Sequence, residues 1–198
     1  VQFSGVAPML IYLAEKDEVI SIAGLGHWPK SANLSLFENQ YNGTIPLGLL
    51  RTVVPAAPDA WITVLKNYGT MSFGEVASSA IKYAREGITV HPTMSKFLSR
   101  YQENYRMWPS NSNIWQKNGR PLEEGDLLIQ TDLAASIQFM ADQEAAAMKD
   151  GREKGLKAAR DAFYIGDIAR EIVKYHKEND GLMTADDMAS YRTPIEKP

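Results

Sequence analysis

The sequence predicts an α+β fold that is rich in helices and has a β-hairpin near its N-terminus. In residues 54–87, apolar side chains recur at spacings of three and four on both sides of a tight break, which is typical of two consecutive helices. Near the N-terminus, the apolar runs Met9–Leu13 and Val19–Ala23 flank a short charged loop, which predicts a β-hairpin. Helical periodicity returns at several points after residue 92.

Length and composition narrow the class of protein. A chain of 198 residues with 44% hydrophobic content is long enough for one substantial core, so residues 1–198 are expected to form a single domain. The formal net charge of −3 and the lack of a basic block argue against a nucleic-acid partner. No apolar run approaches the length of a membrane span. The sequence contains no cysteine, which excludes disulfides and thiolate chemistry within this chain.

The N-terminal hairpin and the two following helices carry the clearest local signals. Residues 9–13 are apolar on both faces, as expected for a strand covered by layers on either side. Gly69 stands where a left-handed residue ends a helix at low energetic cost. Ser72 and Glu75 have the spacing of a capping box, and Gly87 is predicted to end the second helix.

Three later segments are also informative. Residues 94–108 place aromatic and aliphatic side chains on one helical stripe, which predicts a core or subunit interface. Residues 141–161 are rich in alanine and charged side chains, and we interpret them as a solvated helical insertion without a ligand site. Gly181 is expected to end one helix, and Thr184 with Asp187 to begin another through a variant capping box.

Motifs in these segments, taken in chain order, resemble the gamma-glutamyltranspeptidase family of N-terminal-nucleophile hydrolases. The match extends over nearly the whole chain. It rests on Ser4, Gly5, Gly24, Pro29, Val54, Pro55, residues 67–70, residues 80–87, Gly119, Pro121, Leu122, Gly125, Asp126, Gln130, Asp132, Leu133, Ala134, residues 162–166, Ile168, Ala169, Gly181, Thr184, Asp187, Met188, Ala189 and Tyr191. The chain departs from the family pattern at residues 7–9, Leu25, Ala56 and Ala60.

The resemblance implies a particular architecture and indicates which subunit carries the catalytic residue. This chain would be the large-subunit portion of a four-layer αββα sandwich that both subunits complete. The family's nucleophile is a threonine made N-terminal by self-cleavage, whose free α-amine acts as base, and it lies in the small subunit. Accordingly, no catalytic residue, metal site or cofactor is expected in this chain. Thr184 and Thr193 are better explained as a cap and a loop residue, and His27, His91 and His176 are too far apart in sequence to suggest a metal site.

The resemblance also draws attention to the turn at residues 23–29. Leu25 stands where the family's arginine would pair with the α-carboxylate of the substrate. Arginine can bind a carboxylate with two charge-assisted hydrogen bonds, and leucine cannot. We therefore predict that Leu25, His27 and Trp28 form a flatter, more apolar wall of the substrate pocket. The other interpretation is that Trp28 is a core residue and His27 a satisfied histidine; Arg51 is a candidate replacement for the missing cation.

Three functions follow from these observations. The first is the large subunit of an amidohydrolase or acyltransferase that acts with a small, nucleophile-bearing subunit. Its small-molecule substrate would be an amide or a gamma-glutamyl compound, the latter placing the protein in glutathione metabolism. The second is an inactive paralogue that serves as a binding or scaffold protein. The third is a free-standing helical interaction module.

Overall fold

The computed structural model describes residues 3–198. Within them the α-helices are α1 (Leu34–Tyr41), α2 (Ala57–Tyr68), α3 (Phe73–Glu86), α4 (Pro92–Arg100), α5 (Gln102–Arg106), α6 (Pro109–Trp115), α7 (Thr131–Ala147), α8 (Arg152–Tyr164), α9 (Asp167–Glu178) and α10 (Ala185–Ser190). The strands are β1 (Met9–Leu13), β2 (Glu18–Ile22), β3 (Ile88–Thr89), β4 (Gln116–Lys117), β5 (Arg120–Pro121), β6 (Leu127–Leu128) and β7 (Ile195–Glu196). Short 3-10 turns occupy Ala14–Lys16, Leu49–Arg51 and Met148–Asp150.

Contacts between residues divide the chain into two compact units. One comprises residues 3–73 with 140–198, and the other is Gly74–Phe139. The expectation of a single domain and the assignment of residues 141–161 as an insertion both stay predictions. None of the described helices combines the length and the apolar character required to cross a bilayer.

The predicted N-terminal hairpin is confirmed, and it forms most of a three-stranded sheet in the first unit. β1 pairs antiparallel with β2, which pairs antiparallel with β7, giving the order β1-β2-β7. On one face, Ile20 and Ile22 pack with Ala60 of α2, and the odd-numbered residues of β1 join them. The opposite face differs from the prediction, because Leu10 and Tyr12 are 71% and 60% exposed. Within the described residues, β1 is therefore covered on one side.

Helix α2 is built into the core of the same unit. The carbonyl of Gly5 accepts hydrogen bonds from the amides of Ala56 and Ala57, which satisfies donors at the start of the helix. Pro58 lies in the first turn, where the missing amide hydrogen is not needed. α2 packs against α8, and α8 also packs against α9.

This packing corrects the prediction for the charged segment 141–161. Leu156 and Ala159 are fully buried, and Arg160 is 9% exposed. Because α8 contacts both α2 and α9, one side of this charged helix belongs to the core and only part of it is solvated. The predicted left-handed residue at Gly69 is also wrong, since its φ of −100° and ψ of 163° are extended.

The second unit has its own small core. Val90, Leu98, Leu122 and Leu128 form a buried cluster, against which Met94, Tyr105 and Trp115 pack. The predicted aromatic stripe over residues 94–108 is not one continuous helix, because it is divided between α4 and α5, and Tyr101 and Trp108 lie just outside them. Leu98 is buried, whereas Phe97 and Tyr101 are exposed and stack on each other at 6.0 Å. Gly87 ends α3 with a φ of +98°, which confirms the predicted helix end.

Candidate functional site

The turn at residues 23–29 follows β2, and its backbone is tied to three distant segments. The amide of Ala23 donates to the carbonyl of Pro194 at 3.0 Å. The carbonyl of Gly24 accepts from the amide of Ala7 at 2.8 Å, and that of His27 accepts from the amide of Val54 at 2.9 Å. The start of the turn is therefore fixed against the chain before β1, and its end against the chain before α2.

Two glycines make this close approach of backbones feasible. Gly24 has a φ of +49°, in the left-handed region that L side chains disfavour, and a Cβ there would lie 2.1 Å from the carbonyl oxygen of Ala7. A Cβ on Gly26 would lie 1.9 Å from the carbonyl oxygen of Val54. Both positions require glycine as the fold stands.

The three residues predicted to line the pocket project from this fixed turn. Leu25 is 56% exposed and Trp28 is 39% exposed. The imidazole Nδ1 of His27, which is also exposed, donates to the carbonyl of Trp28 at 3.0 Å. The indole of Trp28 packs edge-on against Phe37 at 5.8 Å, so one side of it is supported while the other is open. Trp28 is therefore not a core residue.

Two surface grooves of the same unit lie elsewhere. One, of about 520 Å³, is lined by residues of α8, α9 and α10 and by Ile165. The other, of about 370 Å³, is lined by α2, α8 and Arg192. Neither includes Leu25, His27 or Trp28, and the role of these three residues in substrate binding stays a prediction.

Tyr191 is the residue at this turn that sequence reasoning missed. Its hydroxyl donates to the carbonyl of Leu25 at 3.1 Å, across 166 positions of sequence. Its ring lies 5.4 Å from the imidazole of His27, and the residue is 1% exposed. In the sequence, Tyr191 is marked only by its position at the end of the motif that begins at Gly181. The motif alone does not indicate a role for it.

A buried ion pair holds Tyr191 from the other side. The guanidinium of Arg160 donates through Nε to Asp59 and through Nη2 to the carbonyl of Tyr191. The second carboxylate oxygen of Asp59 accepts the amide of Thr193 at 2.7 Å. Asp59 is 2% exposed, so both charges are compensated inside the protein.

Tyr164 completes this network. Its hydroxyl donates to the carbonyl of Pro55 at 2.7 Å and accepts from the amide of Asp59 at 3.1 Å. Its ring stacks on Tyr191 at 5.9 Å and lies 4.7 Å below the guanidinium of Arg160. Burial, and to a lesser degree the nearby Asp59 carboxylate, raise the pKa of Tyr164 well above its usual range, so the phenol stays protonated.

The predicted capping box at the start of α10 is present, and it also secures the end of the turn. Thr184 Oγ1 accepts from the amide of Asp187 at 3.1 Å, and the Asp187 carboxylate accepts from the amide of Thr184 at 3.0 Å. The other oxygen of Asp187 accepts the amide of Lys30 at 2.9 Å. Burial alone would raise the pKa of Asp187, but the hydrogen bonds from Thr184 and Lys30 outweigh it and lower the pKa.

Cations near these segments are engaged by other partners. Arg51, the candidate replacement for the missing arginine, donates to the carbonyls of Ile45 and Pro46 and holds that loop. The ammonium of Lys30 pairs with Asp186. Arg192 donates to the carbonyls of Ala189 and Tyr191.

The three histidines have separate structural settings. His91 accepts the amide of Thr93 at the start of α4, and His176 is buried in α9. Across the described residues, no group of three or more His, Cys, Asp or Glu side chains is arranged to hold a metal ion.

Comparison with known proteins connects this arrangement to a family. The model of the gamma-glutamyltranspeptidase family matches residues 5–198. The chain is 32% identical over 151 residues to the glutathione hydrolase proenzyme of Escherichia coli, a match that covers 74% of this chain and 23% of that protein. It is 28% identical over 152 residues to the acylase ACY 1 proenzyme of a Pseudomonas species, covering 77% of this chain and 25% of that protein.

Solved structures give the same result. The crystal structure of Helicobacter pylori gamma-glutamyltranspeptidase superposes with a TM-score of 0.85 at 25% identity, covering 100% of this chain and 53% of that one. Cephalosporin acylase from Bacillus halodurans has the same fold, with a TM-score of 0.81 at 23% identity over 99% of this chain and 35% of its own. The chain spans about a quarter of the length of the two curated relatives. The predicted helix-rich α+β fold of an N-terminal-nucleophile hydrolase is confirmed, and the chain belongs to the gamma-glutamyltranspeptidase family as part of its large subunit.

Proposed function

We propose that this chain serves in an amidohydrolase or acyltransferase whose threonine nucleophile is supplied by a separate small subunit. The threonine hydroxyl would attack the amide carbonyl of the substrate, release the amine and leave an acyl-enzyme, which water or a second amine resolves. Support comes from the family membership and from relatives that are named as hydrolase and acylase proenzymes. This chain contributes helices and one wall of the pocket.

The substrate assignment depends on Leu25. An exposed leucine occupies the centre of a turn whose backbone is held on both sides, and it has no group that can pair with a carboxylate. The cations Arg51 and Lys30 do not replace the missing arginine, because Arg51 is engaged by loop carbonyls and Lys30 by Asp186. We therefore propose that the acyl group is neutral at this position, as in an acylase substrate, and is not gamma-glutamyl.

The decisive experiment compares two substrate classes on the protein expressed from its complete reading frame. Wild type should hydrolyse N-acyl anilides with neutral acyl chains faster than gamma-glutamyl anilide. Leu25→Arg should reverse that preference by restoring a bidentate carboxylate partner. Leu34→Arg, which adds the same charge at a leucine that is 71% exposed in α1, is the matched control and should leave the preference unchanged.

The inactive-paralogue alternative gives a different result. It is favoured by the departures at residues 7–9 and at Leu25. Under that alternative, neither substrate class is turned over by wild type or by Leu25→Arg. Measurement of the intact mass of the purified protein adds an independent readout, since the enzyme hypothesis requires a companion polypeptide whose first residue is threonine.

A further inference from the structure

The peptide unit between Leu25 and Gly26 can turn only through ψ of Leu25 and φ of Gly26. Gly26 lacks the Cβ atom that normally restricts the second of these rotations. The neighbouring carbonyls of Gly24 and His27 are held by backbone amides, as described above. The carbonyl of Leu25 is instead held by a side chain, the hydroxyl of Tyr191 at 3.1 Å.

Tyr191 is itself held rigidly, so its hydroxyl can hold the Leu25 carbonyl in one orientation. Its own carbonyl accepts from Arg160, its ring stacks on Tyr164 at an interplanar angle of 18°, and only 1% of its surface is exposed. Arg160 is held in turn by the carboxylate of Asp59. A continuous chain of contacts therefore runs from a buried ion pair to the centre of the turn.

We infer that Tyr191 is a positioning residue that sets the orientation of the Leu25 peptide, and with it the placement of the Leu25 side chain against the acyl group of the substrate. This inference rests on the proposed function, because the turn is assigned to the substrate pocket there. Removal of the hydroxyl would leave the Leu25 carbonyl to water, and the peptide unit that joins Leu25 to Gly26 would sample more than one orientation. Substrate affinity then falls because the pocket wall is no longer preorganised.

The test compares Tyr191→Phe with Tyr164→Phe in the intact protein. Tyr164 is a matched control, because it is buried in the same network and its hydroxyl donates to a backbone carbonyl, that of Pro55. We expect Tyr191→Phe to raise KM for the preferred acyl anilide roughly fivefold, the ratio that corresponds to one net hydrogen bond, with little change in kcat. Tyr164→Phe should lower the melting temperature without changing KM.

Hydrogen exchange of the peptide that covers residues 24–28 supplies a second readout that does not depend on activity. Exchange should be faster in Tyr191→Phe than in wild type and unchanged in Tyr164→Phe. Equal effects of the two variants on KM and on exchange would overturn the inference, since Tyr191 would then be only structural. If wild type hydrolyses neither substrate class, the proposed function fails, while the exchange comparison still decides whether Tyr191 orients the turn.

Discussion

The carboxylate of Asp59 and the guanidinium of Arg160 form a buried ion pair that joins α2 to α8. The pair also holds the chain after α10, because Asp59 accepts the amide of Thr193 and Arg160 donates to the carbonyl of Tyr191. Two helices and the segment that leads to β7 thus meet at one pair of charges. Removal of Arg160 would leave the buried Asp59 charge without a cation, whereas removal of Asp59 would leave Arg160 only the more exposed carboxylate of Asp161, at 3.5 Å.

We predict that Asp59→Asn lowers the free energy of unfolding by about 3 kcal/mol, because the buried Arg160 charge then keeps only the more distant carboxylate of Asp161. Urea unfolding of the intact protein provides the measurement. Combining Asp59→Asn with Arg160→Met should destabilise less than the sum of the two single changes. Arg170→Met removes an exposed pair with Asp167 and should have little effect. Additive single changes would show that the two residues are not coupled.

Gly24 and Gly43 offer a comparison of backbone strain with packing. Both have positive φ, +49° and +71°, but a Cβ would meet Ala7 backbone atoms at Gly24 and nothing within 4 Å at Gly43. We expect Gly43→Ala to destabilise by about 1 kcal/mol through φ strain alone. Gly24→Ala should destabilise by about 3 kcal/mol, because the turn must also move away from Ala7. Thermal unfolding of the two variants would measure this difference, and equal losses would contradict the tight contact.

Asp187 should contribute to stability in a pH-dependent manner. Its folded pKa is lowered, so its contribution is present above the unfolded pKa of about 4 and is lost as the pH falls through the lower folded value. Asp187→Asn is expected to destabilise by about 2 kcal/mol at pH 7 and by progressively less as the pH falls below the unfolded pKa of about 4. The exposed neighbour Asp186 supplies the control variant Asp186→Asn. A stability difference between Asp187→Asn and wild type that stays constant from pH 7 to pH 3 would refute the assignment.

His176 should make the protein sensitive to mild acid. Burial lowers its pKa, and the neutral ring accepts the amide of Met183 at Nδ1, at 3.4 Å. As the pH falls, His176 therefore takes up a proton in the unfolded state before it does so in the folded state. The contribution of the neutral His176 to stability is present above about pH 6.5 and is lost as the pH falls through the folded pKa. His176→Gln should flatten the dependence of melting temperature on pH between 7 and 5. The control Lys177→Gln should retain the slope of wild type.

Local features of the fold were predictable because their causes lie within a few residues of one another. The hairpin β1–β2, the end of α3 at Gly87 and the cap formed by Thr184 and Asp187 each depend on neighbours in sequence. Gly69 shows the limit of such reasoning. A glycine after a helix permits a left-handed residue without requiring it, and here the chain turns away in an extended conformation.

Long-range pairing explains what the sequence did not reveal. Arg160 lies in a charged stretch with the composition of a solvated helix, and its partner Asp59 is 101 positions earlier. The family resemblance predicts a pocket wall at Leu25, His27 and Trp28 because the family places this turn at the substrate. It predicts no role for Tyr191, whose contact with Leu25 exists only once the fold brings the chain after β2 and the chain after α10 together.

The outward face of β1 has a practical consequence for handling the protein. Leu10 and Tyr12 of the edge strand β1 and Val19 of β2, which pairs with Tyr12, expose apolar side chains on this face, and they are 71%, 60% and 41% exposed. An exposed apolar edge strand promotes aggregation between copies of a protein and precipitation at high concentration. The 198 residues expressed alone should therefore aggregate. Detergent or a charged substitution at Leu10 should reduce this aggregation.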